Sequence, residues 1–312
     1  METMRAALYR RHGGAEEVTV ETVPMPRPGP GQVLVRLAAA GVAPLDWKLR
    51  AGLLRRHFTL GFPKIPGRDG AGEVIACGAG VTGIGPGDRV AVMAPPSAPA
   101  GTHAEAIVAD ARLCVPVPAP LGLIEAAALV NAGLSAFVAV VRTAGVQAGQ
   151  RVLVHSGAGA VGGLMVQMAA DRGAIVTATC RAANRDYVIA LGAARAIAYD
   201  APFPNDLPPQ DVIFDLMGGA VHDACYPLLA PGGHLVWLTA APITDRGADY
   251  GVRVSRAVIV DDAEPVAATL AMAAAGRLKA QIAATLPLAK AAEAQQRLES
   301  GQVTRGRLLL LT

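Results

Sequence analysis

The strongest constraint on this chain is the run Val152-Leu153-Val154-His155-Ser156 leading into Gly157-Ala158-Gly159-Ala160-Val161-Gly162. Gly-x-Gly-x-x-Gly alone is a weak signal. Here it follows an apolar run that reads as a buried strand, Arg151 to His155, and opens a helical stretch, Val161 to Arg172. In that setting each glycine has a reason. Gly157 permits the tight turn, Gly159 lets the backbone approach a pyrophosphate, and Gly162 lets the helix pack close to the strand. The backbone of Ala158, Ala160 and Val161 completes the cradle, and the pyrophosphate sits at the positive end of the helix. The competing reading is a glycine-rich turn with no ligand.

The pattern around the loop extends this. Strands are expected at Ala174–Thr179, Ala196–Tyr199, Asp211–Leu216 and His234–Leu238. Between them helices are expected at Arg185–Leu191, ended by Gly192, and at Ala220–Leu229, stopped by Pro231-Gly232-Gly233. Val252 to Val260 alternates and reads as a late edge strand. This βαβ rhythm predicts a doubly wound parallel sheet, an α/β Rossmann-type domain. The first 120 residues differ. Ala6–Tyr9, Val18–Thr22, Val33–Ala39, Gly72–Cys77, Arg89–Met93 and Ala104–Val108 are short runs separated by Gly/Pro turns, as in a small barrel or sandwich-like domain. After residue 260 come a helix (263–275), a strand (282–286), a helix (288–299) and a last strand, Arg307–Leu311. They lack the alternating rhythm and are expected to return to the first domain. With 312 residues, at roughly 100–200 per domain, the expected division is 1–122 with 262–312, and 123–261.

Composition removes several classes. Hydrophobic residues are 52% and charged residues 17%, which excludes a disordered chain. The net charge is +3 and the longest basic run is Arg55-Arg56-His57, too short for a nucleic-acid face. Cys77, Cys114, Cys180 and Cys225 stand alone, without the Cys-x-x-Cys or Cys/His spacing of a zinc lobe. Lone cysteines fit a reducing compartment, and no signal-peptide pattern opens the sequence, so a cytoplasmic protein is expected. Leu121 to Val141 is long and apolar, but it contains Glu125, Asn131 and much alanine. It reads as a buried helix or helix pair, not a membrane span.

A nicotinamide dinucleotide site usually has Asp or Glu about 20 residues after the loop, to hold the ribose 2′-OH. Here Ile175-Val176-Thr177-Ala178-Thr179 ends in Cys180-Arg181. Arg181, with Arg185 one turn later, suits a 2′-phosphate, because guanidinium offers several donors in a fixed fork. The expected cofactor is NADP(H). The plainer reading of both arginines is a surface cation.

Several further segments are specific in this order and spacing: Ala43-Pro44-Leu45-Asp46-Trp47-Lys48, Pro66-Gly67-Arg68-Asp69-Gly70-Ala71-Gly72, Gly83-Ile84-Gly85-Pro86-Gly87-Asp88-Arg89-Val90, Glu125-Ala126-Ala127-Ala128-Leu129, Ala132-Gly133-Leu134-Ser135-Ala136, Pro231-Gly232-Gly233 and Gly306-Arg307. With the loop they resemble the medium-chain dehydrogenase/reductase superfamily, in its zinc-free quinone-oxidoreductase and enoyl-reductase branch, over essentially the whole chain. The resemblance implies a GroES-like catalytic domain built from both chain ends, a Rossmann domain between them, and a homodimer paired through edge strands. It implies that Tyr199 lies by the 2′-phosphate, Ser135 close to the cofactor, Leu238-Thr239 on the nicotinamide side and Val260 near the carboxamide. Zinc-dependent relatives place ligands where this chain has Ala43, Arg68 and Asn131-Ala132, so no metal is expected. The zinc-free branch usually has Asn, His and an apolar residue where Ala43, Arg68 and Asn131 stand.

Reduction of an enone or quinone creates an oxyanion, for which a positioned donor is the main device. Lys48, beside Trp47 on a segment that lines the substrate cleft in the family, is one candidate. His103 is a candidate proton donor. Asn131, a buried amide, is expected to meet either backbone or ligand. Arg68 is expected to bind an anionic substrate group or to pair with Asp69 or Asp46. Asp46 reads as a capping carboxylate and His155 as structural. Three functions follow for a chain acting on a small molecule: an NADPH-dependent quinone or enoyl reductase, a non-redox biosynthetic enzyme with an altered pocket, or a non-catalytic NADPH-binding protein.

Overall fold

The computed structural model describes residues 2–199, 206–238 and 243–312. Internal contacts divide the chain into two compact units. One is Met1–Asn131 with Asp261–Val303 and Arg307–Thr312; the other is Ala132–Val260 with Thr304–Gly306. The first passage between them falls inside the helix Leu123–Phe137, not before it. The short excursion at 304–306 has no counterpart in the expected division.

In the first unit, the long strand Gln32–Val42 is central. It pairs antiparallel with Asp69–Cys77, Ala106–Asp110 and Arg307–Leu311. Asp69–Cys77 continues to Arg89–Met93 and then Cys114–Pro116, while Ile282–Pro287 lies parallel to Arg307–Leu311. The C-terminal strand therefore completes a sheet begun near the N-terminus. Val33, Val35, Val74, Val90 and Val92 are fully buried in one cluster, each worth roughly 1.5–3 kcal/mol relative to exposure. A second antiparallel pair, Thr3–Leu8 with Thr19–Pro24, adds to the unit.

The helix Pro44–Arg50 was not anticipated. Proline fits its first turn, and Asp46 Oδ2 accepts the Ala43 N–H at 2.7 Å, capping the turn as expected of that carboxylate. Asp46 Oδ1 also accepts the Gly67 N–H at 3.0 Å, which ties this helix to the segment before Arg68.

The second unit holds a parallel sheet in the order Arg195–Ala198, Ile175–Cys180, Arg151–Val154, Gln210–Asp215, Leu229–Trp237, Arg253–Arg256. Numbered along the unit, this is 3-2-1-4-5-6, the doubly wound order. Leu153, Ile213, Leu235, Cys225 and Tyr226 pack together in its core. Three local expectations change. The helix after residue 219 ends at Cys225, ahead of a single turn containing Pro227. Pro231-Gly232-Gly233 lies within the next strand, where the register jumps from Gln210↔Leu229 to Val212↔His234. The late edge strand is only Arg253–Arg256, and Val258 and Val260 beyond it are exposed. The apolar stretch forms the helix Leu123–Thr143. It is long enough to cross a membrane, but it is mostly buried inside the protein.

Candidate active site

The glycine loop lies at the end of Arg151–Val154 and runs into the helix Ala160–Asp171. A Cβ on Gly162 would stand 2.2 Å from the Ser156 carbonyl oxygen, and one on Gly157 would stand 2.7 Å from the Ala178 Cβ. Those two glycines are demanded by the protein's own packing. Gly159 differs: its backbone is ordinary (φ −70°, ψ 169°) and a Cβ would meet only Ser156, at 3.3 Å. Its missing side chain leaves space in front of the helix, whose N-cap carries no side-chain hydrogen bond. Open space before uncapped N–H groups suits a pyrophosphate, so these residues fit a dinucleotide.

Thr179 braces the loop, which sequence reasoning missed. Its Oγ1 accepts the Ser156 N–H at 3.2 Å and its carbonyl accepts the Gly157 N–H at 2.8 Å. Ser156 is held at φ 57°, a conformation that non-glycine residues seldom adopt. His155 is buried, 3.2 Å from Thr179 Oγ1 and 3.4 Å from Cys225 Sγ. Burial lowers its pKa to about 4, so it is a neutral structural residue near pH 7. Burial likewise pushes the Cys225 thiol far up. From the far end of the chain, the Gly306 N–H donates to the Ala158 carbonyl at 2.8 Å, and Asn184 Nδ2 donates to the Thr304 carbonyl at 2.9 Å. Arg305 stacks over Tyr187.

Arg181 follows the strand Ile175–Cys180, and Tyr199 follows its parallel neighbour. The register Ala198↔Cys180 and the Tyr199 N–H to Cys180 carbonyl bond at 3.0 Å put the two strand ends side by side. Arg181, Arg185 and Tyr199 are all exposed. Partial burial raises the Tyr199 pKa, while hydrogen bonds to Ser156 and Thr179 and the charge of Arg181 oppose this. Tyr199 thus joins the arginine corner to the loop. Ser135 is buried on the helix Leu123–Phe137 and Val260 is exposed. Thr239 lies outside the described residues.

In the first unit the expected partners change. Arg68 pairs with neither Asp69 nor Asp46. Its Nη2 donates to Asp261 Oδ1 at 2.5 Å and its Nε to Asn131 Oδ1 at 3.0 Å. Asp69 is instead taken by Arg307, at 2.5 Å. The Asn131 side chain meets Arg68 through its Oδ1. The reason is charge balance: two carboxylates and two guanidiniums meet in a buried corner and pair off. Burial raises the Asp69 pKa, which Arg307 opposes. His103 is fully buried, and its Nε2 donates to the Gly41 carbonyl at 3.1 Å. Its ring fills the space beside Gly67, where a Cβ would stand 2.5 Å away. In that geometry the ring packs against the fold and its Nε2 proton is engaged by the backbone. Lys48 is half-buried, its Nζ 5.7 Å from the centroid of the Trp47 ring.

These residues do not fit a zinc ion. Ala43 offers a methyl group, and Arg68 and Asn131 are bonded to each other. A fixed guanidinium would repel a second cation. Among the described residues no group of three or more His, Cys, Asp or Glu could hold a metal.

Residues 29–119 match the alcohol dehydrogenase GroES-like domain family, and residues 191–310 the zinc-binding dehydrogenase family. The chain is 31% identical to a chloroplast envelope quinone oxidoreductase homolog of Arabidopsis thaliana, over 96% of each chain. It is 33% identical to the trans-enoyl reductase pgmF of Aspergillus terreus, over 71% of this chain and 61% of that one. Among solved structures, the quinone oxidoreductase of Coxiella burnetii superposes with a TM-score of 0.89 at 28% identity, covering 100% of both chains.

Proposed function

The chain belongs to the medium-chain dehydrogenase/reductase superfamily, a family of nicotinamide-dependent oxidoreductases, and from that membership we propose a zinc-independent, NADPH-dependent reductase of a quinone or an activated C=C bond. The observation that carries the reading is the open space at Gly159 before an uncapped helix, with Arg181 where an acid would select NADH. NADPH supplies a hydride to an electrophilic carbon or quinone. The backbone N–H groups of 157–162 hold the pyrophosphate. Arg181 and Tyr199 hold the 2′-phosphate, with Arg185 in support. Ser135 and Val260 face the rest of the cofactor.

On the substrate side, Lys48 is the donor to the oxyanion, since the Arg68 charge is already matched by Asp261. Trp47 packs on the substrate, and the proton comes from water. The protein acts in a reducing cytoplasmic compartment, consistent with its four free thiols. It forms a homodimer through the edge strand Arg253–Arg256 and the exposed Val258 and Val260. The test is to mix the protein with NADPH and a panel of quinones and enones and follow absorbance at 340 nm. Substrate-dependent oxidation is the expected result. Tight NADPH binding without turnover on any of them would move the assignment to a non-redox or regulatory protein.

A further inference from the structure

We infer that Arg68 and Asp69 form a clamp on the points where the chain leaves and re-enters the first unit. The chain leaves after Asn131, returns at Asp261, leaves after Val303 and returns at Arg307. Three of these four points are held by two adjacent side chains. Arg68 grips Asn131 Oδ1 and Asp261 Oδ1. Asp69 accepts the Asn131 backbone N–H on Oδ2, at 3.1 Å, and the Arg307 guanidinium on Oδ1. All five residues belong to the first unit, so the clamp is complete within it.

Sequence and physics both favour this reading. Asp69 opens the strand Asp69–Cys77, and Arg68 stands in the bend just before it. The two side chains share the crossing at Asn131, and each reaches one further crossing, at Asp261 or Arg307. The planar fork of arginine serves two acceptors at once, which lysine's single ammonium does less well. The side chains of Asp69 and Arg307 are 0% and 4% exposed, those of Arg68 and Asp261 11% and 20%. Water therefore does little to weaken the bonds. The return at Asp261 needs such a hold, because residues 257–262 have no regular secondary structure.

The test uses the full chain and needs no activity. Native-state trypsin cleavage after Arg256 reads the return crossing, and hydrogen exchange of residues 130–134 reads the first exit. Arg68→Met should speed the cleavage at least tenfold and accelerate exchange at 130–134, with exchange of strand 151–154 unchanged. Arg68→Lys should restore less than half of the effect on a logarithmic scale. Should Arg68→Met fail to fold, Asp261→Asn should speed cleavage after Arg256 alone. Unchanged cleavage, full rescue by lysine, or equal acceleration at 151–154 would overturn the clamp. If the reductase reading holds as well, the NADPH affinity of Arg68→Met, set within the second unit, should stay within about threefold. A failure of turnover in the wild type would count against that reading alone.

Discussion

The glycine loop of the second unit and the Arg68 corner of the first are built by different means. At 157–162 the site is backbone, and the sequence need only leave out side chains within six residues. At the corner it is side chains whose partners lie 63, 193 and 238 positions away. The first kind of site tolerates little change at Gly157 and Gly162, where a Cβ has nowhere to go. The second can be rewired residue by residue, provided each buried charge keeps a partner. That is how this corner can hold a guanidinium where the resemblance places a ligand for a cation.

Breaking the corner should give the largest effect. Asp69→Asn leaves Arg307 buried without its counter-charge, and such a loss costs about 3–5 kcal/mol. Urea unfolding should show the midpoint fall with little change in slope. Asp69→Leu combined with Arg307→Met should recover much of the loss, since an apolar pair removes both charges together. If the double variant is no better than either single one, the pair is not the unit of stability.

The same contrast explains what could be read from the sequence. The loop, the parallel strands around it and the strand Arg307–Leu311 were legible, because periodicity and turn residues are local signals. Arg181 beside Tyr199 followed from two strand ends and the resemblance. The helix Pro44–Arg50 was not legible, being short and capped by a carboxylate inside its own first turn. The Asp261 partner of Arg68 was hidden by a separation of 193 residues, which no local pattern bridges. The brace at Thr179 was missed because an apolar-flanked threonine late in a strand looks like ordinary β-propensity.

The loop's supports offer the next effect. Burial holds His155 near pKa 4 against an ordinary 6.5. As pH falls, the unfolded chain takes up this proton before the folded one. The stability from neutral His155 is thus complete above about pH 6.5 and is lost as pH falls toward 4, reaching about 3 kcal/mol. His155→Gln should flatten the urea midpoint between pH 7 and 4.5 relative to wild type. Parallel pH curves would mean that the histidine is solvated.

Within the loop, two glycines should behave differently. Gly162→Val forces a Cβ onto the Ser156 carbonyl and should cost roughly 1–3 kcal/mol of stability along with NADPH binding. Gly159→Ala has room for its Cβ and should change stability by only about 0.5 kcal/mol. It should nevertheless weaken nucleotide binding, measured by titration of protein fluorescence. Equal losses in both variants would mean that Gly159 serves the fold and not a ligand.

The smallest effect, and the most specific, concerns Arg181. NADPH and NADH differ by one phosphate, so the ratio of their affinities isolates the groups that touch it. A charge-assisted hydrogen bond contributes roughly 1.5–3 kcal/mol, about ten- to a hundredfold in affinity. Arg181→Ala should weaken NADPH by that factor and leave NADH nearly unchanged. Because Arg181 is exposed, the loss should shrink as salt rises from 0.05 to 0.5 M through shorter-range screening. Tyr199→Phe should cost less, since its hydroxyl is already shared with Ser156 and Thr179. Wild-type protein that binds NADH as tightly as NADPH, or an Arg181→Ala variant that weakens both alike, would make Arg181 a surface cation. The strand end would then lack any group that chooses between the two nucleotides.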